Sequence, residues 1–200
     1  MGLILAAGNQ TRWNYKEYPG LPKIKQLVEV EGQILIERIQ EQFPDSIVVT
    51  HDKEISKHSK MVFKPAKHGC TIETLFNTHT LWKGWVTILL GDVDYGQRTI
   101  NLLEDQKEIL RFYGDRGEIY AVKWHEDVTP LIHYDINRLI SHEDWVPKFG
   151  KLWNLYRVMC GFDYRKEHKM KKYFTFVNDC MDFDTQEQYL KYAKNKRVRK

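Results

Sequence analysis

The first eight residues constrain the fold more than any other part of the chain. Residues 1–5 form an apolar stretch of strand length that runs directly into the small residues Ala6-Ala7-Gly8. Small residues after a strand let backbone N–H groups approach a ligand, and glycine adopts backbone conformations that other residues avoid. Consecutive N–H groups that point one way bind anions, and Arg12 adds a guanidinium. This opening indicates a polyphosphate-binding loop, although an ordinary buried strand and turn would also produce it.

Apolar runs of strand length alternate with stretches of helical spacing along the rest of the chain. We predict strands at 46–50, 61–64, 86–90, 119–124 and 173–177, and helices at 71–82 and 100–110. A further helix is predicted within 33–43, where Ile36, Ile39 and Phe43 share one face before Pro44. This alternation predicts an α/β fold with a mainly parallel sheet. We expect one domain over 1–193 and a basic, flexible tail over 194–200.

Composition and charge exclude several classes of protein. The three widely spaced cysteines, Cys70, Cys160 and Cys180, suit reduced thiols in the cytoplasm rather than a disulfide framework or zinc site. No apolar run is long enough to cross a bilayer, so no membrane partner is expected. The net charge of +4 is concentrated in the tail, without aromatic side chains for base stacking, so nucleic-acid binding is not predicted.

Two carboxylates follow the most apolar predicted strand. The run at 85–90 ends in Gly91-Asp92-Val93-Asp94. In open α/β sheets, ligands bind beyond the carboxyl ends of the strands. Because Mg²⁺ prefers one or two carboxylates together with phosphate oxygens, Asp92 is a candidate metal ligand. Asp94 could share that role or only hydrogen-bond to its neighbours.

Four blocks of the chain, in this order, resemble the nucleotidyltransferases that make NDP-sugars and CDP-alcohols. They are Leu-Ala-Ala-Gly with Thr-Arg at 5–12, a lysine, strand, glycine and helix at 25–43, Gly-Asp at 91–92, and Asp-x-Asp-Thr-x-Glu at 182–187. The resemblance implies a Rossmann-like GT-A fold, a three-layer sandwich around a mainly parallel central sheet. Gln10 replaces the second glycine of the family loop, and Trp13 and Ile34 also depart from the family pattern.

The resemblance also implies roles for individual residues. Arg12 and Lys25 would be the catalytic cations, and Lys25 is preferred over Lys23 by its spacing to Gly32. The metal, Mg²⁺, would be held by Asp92 and by Asp182 or Asp184, with Asp94 and Asp179 as further candidates, and one of these acids could instead cap the helix that starts near Thr185. The nucleotide would contact Leu5, Ala6, Ala7, Gly8, Asn9, Gln10, Thr11, Arg12 and Lys25.

The implied reaction is Mg²⁺-dependent transfer of a nucleoside monophosphate from an NTP, by preference CTP or UTP, with release of pyrophosphate. The acceptor would be a small phosphorylated sugar, alcohol or phosphonate. Its pocket is expected within 114–161, where Trp124 and Arg157 are candidate contacts and Leu152, Leu155 and Tyr156 suit a helix core. A homo-oligomer is compatible with the sequence.

Two other functions stay open at this point. A GT-A glycosyltransferase would use a nucleotide sugar as donor, and Asp92-Val93-Asp94 is formally its DxD motif. A non-catalytic nucleotide-binding protein is the second alternative, because Gln10 stands where the family loop has glycine.

Overall fold

The computed structural model describes residues 1–8, 13, 20–141, 150–163 and 172–198. The strands are β1 (Gly2–Leu5), β2 (Glu29–Val30), β3 (Gln33–Ile34), β4 (Ser46–Val49), β5 (Val62–Phe63), β6 (Trp85–Leu90), β7 (Val93–Asp94), β8 (Leu110–Gly114), β9 (Ile119–His125), β10 (Phe174–Phe176) and β11 (Met181–Asp182). The α-helices are α1 (Leu35–Gln42), α2 (Lys53–Lys57), α3 (Thr71–Phe76), α4 (Gln97–Glu104), α5 (Thr129–Ile140), α6 (Leu152–Met159) and α7 (Gln186–Val198).

The central sheet has the strand order β10-β8-β9-β6-β1-β4-β5 within the described ranges. β5, β4, β1 and β6 are parallel, and β9 alone runs antiparallel to its two neighbours, β6 and β8. The register pairs Leu5 of β1 with Leu90 of β6, so the carboxyl ends of these strands lie side by side. The predicted mainly parallel α/β sheet is confirmed.

Helices cover both faces of the sheet and produce the expected three layers. Alternation along β1 sends Leu3 and Leu5 into one apolar core and Ile4 into the other. The first core includes residues of α3, α5 and α6, and the second includes residues of α1, α2, α4 and α7. Since both faces are buried, β1 and β6 read as continuous apolar runs rather than alternating ones.

Several predicted boundaries differ from the structure. The helix expected at 100–110 begins at Gln97 and ends at Glu104, and 110–114 is the strand β8. The helix expected at 71–82 ends at Phe76, and a separate 3₁₀ turn follows at His79–Leu81. The strand expected from Lys25 starts with a 3₁₀ turn, Lys25–Leu27, before β2.

The last helix begins at a capping box and docks against the first half of the chain. The backbone N–H of Gln188 donates to the Thr185 hydroxyl, and the Thr185 N–H donates to the Gln188 side chain. The Tyr189 hydroxyl donates to the backbone carbonyl of Glu29 at 2.7 Å. Because α7 continues to Val198, it overlaps the segment expected as a flexible tail.

Among the helices of the described ranges, none has the length and apolar composition that crossing a bilayer would require.

Candidate active site

A two-stranded ribbon brings aspartates from distant parts of the chain together. β7 pairs antiparallel with β11, with Asp182 opposite Val93, and the Phe183 N–H donates to the Asp92 carbonyl at 3.1 Å. Just before the ribbon, a Cβ on Gly91 would lie 3.0 Å from the Leu5 carbonyl oxygen, so only glycine fits there without displacement. The ribbon thus fixes Asp92, Asp182 and Asp184 around one cleft at the carboxyl end of β1 and β6.

The lysine of the cleft is Lys25, which the spacing to Gly32 favoured. Its ammonium contacts a carboxylate oxygen of Asp92 and lies 3.9 Å from Oδ1 of Asp184. Burial lowers the pKa of Lys25, but the neighbouring aspartates outweigh that effect and raise it overall, so the side chain remains charged. Lys23 is exposed and does not line the cleft.

Asp182 is the least favourably placed acid of the cleft. Its Oδ1 is buried and has no hydrogen-bond partner among the described atoms. Burial together with Asp92 and Asp184 raises the pKa of Asp182 to about 8, against the opposing effect of Lys25. Among the described residues, Asp92, Asp182 and Asp184 therefore lie near the single ammonium of Lys25 on this side of the cleft.

The oxygen donors of the cleft fit Mg²⁺, which binds one or two carboxylates together with phosphate oxygens and water. The orphaned oxygen of Asp182 and the neighbouring Asp92 are the two donors that suit it best. Within the described residues, no three acidic, histidine or cysteine side chains already stand in a metal-binding group. The cation would therefore need substrate oxygens to complete its coordination.

Both further acids at this end of the chain have identifiable positions. Thr185 accepts a capping hydrogen bond from the Gln188 N–H at the start of α7, and Asp184 lies 3.9 Å from the Lys25 ammonium. Asp179 accepts hydrogen bonds from the backbone N–H and hydroxyl of Thr99 near the start of α4. Asp179 therefore binds the first turn of α4 and is not among the described residues that line the cleft.

The nucleotide loop is only partly described. Leu5, Ala7 and Gly8 line the cleft, while the Ala6 side chain packs in the second core. A Cβ on Gly8 would meet no described heavy atom within 4 Å, so packing among the described residues does not require this glycine. Asn9, Gln10, Thr11 and the expected catalytic Arg12 lie outside the described residues.

Asp94 hydrogen-bonds to its neighbours, which is one of the two roles considered for it. Its carboxylate is buried and accepts a hydrogen bond from Arg38 Nε at 2.9 Å, and its other oxygen accepts one from the Tyr192 hydroxyl. Arg38 also pairs with Glu31 at 3.1 Å. We call Arg38, Asp94 and Tyr192 the Asp94 clamp, since together they fasten α1 and α7 to β7.

The two acceptor candidates from the sequence lie away from the cleft. Trp124 is fully buried, packs edge-to-face against Trp82, and donates from Nε1 to the Thr129 hydroxyl at 3.1 Å. The expectation that Trp124 lines an acceptor pocket is therefore wrong, because its ring is core packing. Arg157 lies over the Trp153 ring at 5.7 Å and is absent from the described cleft lining.

Sequence reasoning missed two charged residues of the cleft wall. Glu118, just before β9, and Lys151, just before α6, lie 3.2 Å apart between Oε2 and Nζ. Neither belongs to a motif, and 33 residues separate them in the chain. The one sequence feature that could have indicated a site role was the position of Glu118 directly before the strand predicted at 119–124.

Comparisons with known proteins support the architecture. No protein-family model matches the chain, and no curated protein matches it in sequence. It is similar to the solved structure of CTP:phosphocholine cytidylyltransferase from Streptococcus pneumoniae, with a TM-score of 0.65 and 16% identity over 96% of this chain and 97% of that one. It is also similar to the inositol-1-phosphate CTP transferase from T. maritima, with a TM-score of 0.60 and 9% identity over 94% and 90% of the two chains. At these identities the likeness establishes that the chain has the fold of these nucleotidyltransferases.

Proposed function

We propose that the protein is a Mg²⁺-dependent nucleotidyltransferase that moves a nucleoside monophosphate from an NTP to a small phosphorylated acceptor and releases pyrophosphate. One observation carries the proposal: Lys25 lies between Asp92 and Asp184, at the carboxyl end of β1 and β6, where the Ala-Ala-Gly loop ends. The fold shared with two CTP-dependent transferases supports it. CTP or UTP is the expected nucleotide, because the segment from Asp182 to Thr185 resembles that of cytidylyltransferases.

The chemistry follows from the charges of the reactants. Both the nucleotide and the phosphorylated acceptor are anions, so their repulsion must be neutralised before an acceptor oxygen can attack the α-phosphorus in line. Lys25 is half-buried, lines the cleft and remains charged, and its ammonium would stabilise the negative charge that develops on the α-phosphoryl oxygens. An ionised phosphate acceptor needs no general base.

Asp92 and Asp182 would hold the cation through their oxygens. When bound, Mg²⁺ neutralises phosphate oxygens and polarises the phosphorus that is attacked. The ribbon of β7 and β11 orients both carboxylates before substrate arrives, because its register ties Phe183 to Asp92. Positioning and electrostatics therefore supply most of the expected rate enhancement.

The decisive experiment is a pyrophosphate-release screen that crosses the four NTPs with sugar phosphates, polyol phosphates, phosphocholine and aminoalkyl phosphonates, with and without Mg²⁺. Release that needs both an NTP and an acceptor is the expected result. Release of free nucleoside diphosphate from a nucleotide sugar would instead identify a glycosyltransferase. Nucleotide binding without any turnover would identify a non-catalytic protein.

Lysine substitutions test the assigned cation. We expect Lys25→Ala to lower kcat/KM by about a hundredfold or more, as for loss of one transition-state donor. Lys23→Ala is the matched control, because it removes an exposed lysine two residues away. Near-normal turnover of the Lys25 variant would contradict the assignment.

One observation weighs against the glycosyltransferase alternative. Asp94, the second acid of the Asp92-Val93-Asp94 motif, accepts hydrogen bonds from Arg38 and Tyr192 and is not among the described residues that line the cleft.

A further inference from the structure

The cleft lining includes an ion pair that the proposed chemistry does not use. Glu118 lies at the end of the turn between β8 and β9, and Lys151 lies immediately before α6. Both side chains line the same cleft as Lys25 and Asp92. Because β8 runs parallel to β6, its carboxyl end brings this turn to the sheet edge that holds the active site.

The surrounding structure fixes the pair in place. Asp115 accepts hydrogen bonds from the backbone N–H groups of Gly117 and Glu118, at 2.6 and 3.0 Å, and so closes the turn. Trp153 Nε1 donates to the Gly117 carbonyl at 3.1 Å, which ties the turn to α6. The Lys151 backbone N–H donates to the Asn154 side chain at the start of α6. Two independently braced elements therefore present the two charges.

Stability alone does not explain the carboxylate. The Glu118 side chain is only 19% exposed, whereas the Lys151 side chain is 55% exposed. Burial raises the pKa of Glu118 against the opposing effect of Lys151, and the negative charge of Asp92 adds a smaller rise. A half-exposed ion pair contributes little, and adding a fourth acid to an acid-rich cleft costs free energy.

We propose, on the basis of the proposed function, that Glu118 and Lys151 form the acceptor subsite and select a phosphate ester that carries hydroxyl groups, as sugar and polyol phosphates do. A hydroxyl donates its hydrogen to the Glu118 carboxylate while an oxygen of the same or the adjacent hydroxyl accepts from the Lys151 ammonium. The 3.2 Å separation of the two charged atoms lets one small diol contact both.

The same pair disfavours the two cationic acceptor types. A quaternary ammonium, as in phosphocholine, has no N–H or O–H to donate to Glu118. A primary ammonium, as in phosphoethanolamine, could donate to Glu118, but it would approach the fixed positive charge of Lys151. Hydroxyl groups alone satisfy both members of the pair.

Direct binding tests this selection separately from turnover. Calorimetric titrations would compare glycerol 3-phosphate, a hexose 1-phosphate, inositol 1-phosphate, phosphocholine and phosphoethanolamine, with inorganic phosphate as the probe that lacks a side group. We expect hydroxylated esters to bind at least about tenfold more tightly than inorganic phosphate, as for a hydrogen bond to a charged group. Phosphocholine should bind no better than inorganic phosphate.

Paired variants then assign the effect to these residues. Glu118→Gln and Lys151→Met should each weaken binding of the hydroxylated ester by about tenfold and raise its KM by a similar factor, with the NTP KM unchanged. The matched controls are Glu54→Gln and Lys57→Met, which alter an exposed pair of 2.8 Å on α2. Lys151→Met retains a readable result if the Glu118 variant folds poorly, because Lys151 is the more exposed partner.

The outcomes separate the two proposals. Absence of pyrophosphate release from every NTP and acceptor pair would overturn the proposed function, while the titrations would still report on the subsite. Tighter binding of phosphocholine or phosphoethanolamine than of every hydroxylated ester would overturn the subsite assignment. Unchanged ester binding in both folded variants would overturn it as well.

Discussion

Two groups of charged side chains lie beside the same ribbon of β7 and β11, and they differ in how their carboxylate oxygens are paired. In the cleft, Asp92, Asp182 and Asp184 surround the ammonium of Lys25, and one Asp182 oxygen has no described partner. In the Asp94 clamp, both carboxylate oxygens of one aspartate accept hydrogen bonds, from Arg38 and Tyr192. Among the described residues, the cleft contains more acidic than basic side chains, whereas both carboxylate oxygens of Asp94 in the clamp have hydrogen-bond partners.

The difference favours the cleft, rather than the clamp, as the ligand site. Buried polar atoms in a stable scaffold are almost always paired, as they are around Asp94. An unpaired buried carboxylate oxygen costs free energy that a bound cation would return. The cleft therefore has the character of a binding site, and the clamp has that of a scaffold contact that holds the site in register.

The largest expected effect is a difference in activity between variants of Asp92 and Asp94. We expect Asp92→Asn to lower kcat/KM by about a hundredfold or more, because it removes a carboxylate that would hold the cation. The unfolding temperature should change by no more than about 2–4 °C. A steady-state pyrophosphate assay and a thermal melt of the same preparation measure both. Equal loss of activity in the Asp94→Asn variant would erase the distinction between the clusters.

The second prediction concerns the stability of the clamp. Asp94→Asn should reduce the free energy of unfolding by about 2–3 kcal/mol, because the Arg38 guanidinium loses its buried acceptor. kcat of the folded fraction should remain within a few fold of the wild-type value. Urea titration gives the stability, with Asp45→Asn as an exposed aspartate control. A stable Asp94 variant that no longer responds to Mg²⁺ would assign Asp94 to the metal after all.

A smaller effect is expected from the other side of the clamp. Burial and Asp94 raise the pKa of Tyr192, so its hydroxyl stays a hydrogen-bond donor. Tyr192→Phe should cost about 1 kcal/mol, or a fall of roughly 2–4 °C in Tm, because one hydrogen bond to a carboxylate is lost. The thermal melt measures it. A fall as large as that of Asp94→Asn would mean that Tyr192, rather than Arg38, supports the clamp.

The last prediction is a pH dependence of stability that belongs to the cleft alone. The pKa of Asp182 rises from 3.8 to about 8 on folding, so the folded state binds more protons than the unfolded state between these values. Stability without metal should therefore fall as pH rises from about 4 to about 8. Asp182→Asn removes this contribution, so its Tm should fall less than that of the wild type as pH rises from about 4 to about 8. An identical pH profile for the two proteins would contradict the placement of Asp182.

Much of the fold could be predicted from the sequence, because its strands are buried on both faces. Continuous apolar runs such as 85–90 identified strands, and four motif blocks in order indicated the family fold. The segment 107–114 could not be predicted in this way. Its conformation depends on pairing with β9 and with β10, which is more than fifty residues away in the chain.

The site was predictable only where a motif marks it. Lys25 and Asp92 stand in motifs, and the structure places them together. The different surroundings of Asp92 and Asp94 were not predictable, because a turn at Gly91–Asp92 breaks the strand alternation that would give both residues one face. Glu118 and Lys151 were not predicted as site residues for a different reason. Only the tertiary structure brings Glu118 Oε2 and Lys151 Nζ within 3.2 Å of each other.

The docking of α7 has a consequence for how the protein matures. The Tyr189 hydroxyl reaches the Glu29 carbonyl across 160 residues, and Tyr192 reaches Asp94 across 98. Such distant contacts form late, because a long loop must close before they contribute. During synthesis, the acids at 182 and 184 emerge after nearly all of the sheet. A nascent chain on the ribosome therefore cannot bring its three cleft aspartates together until residue 184 has been synthesised.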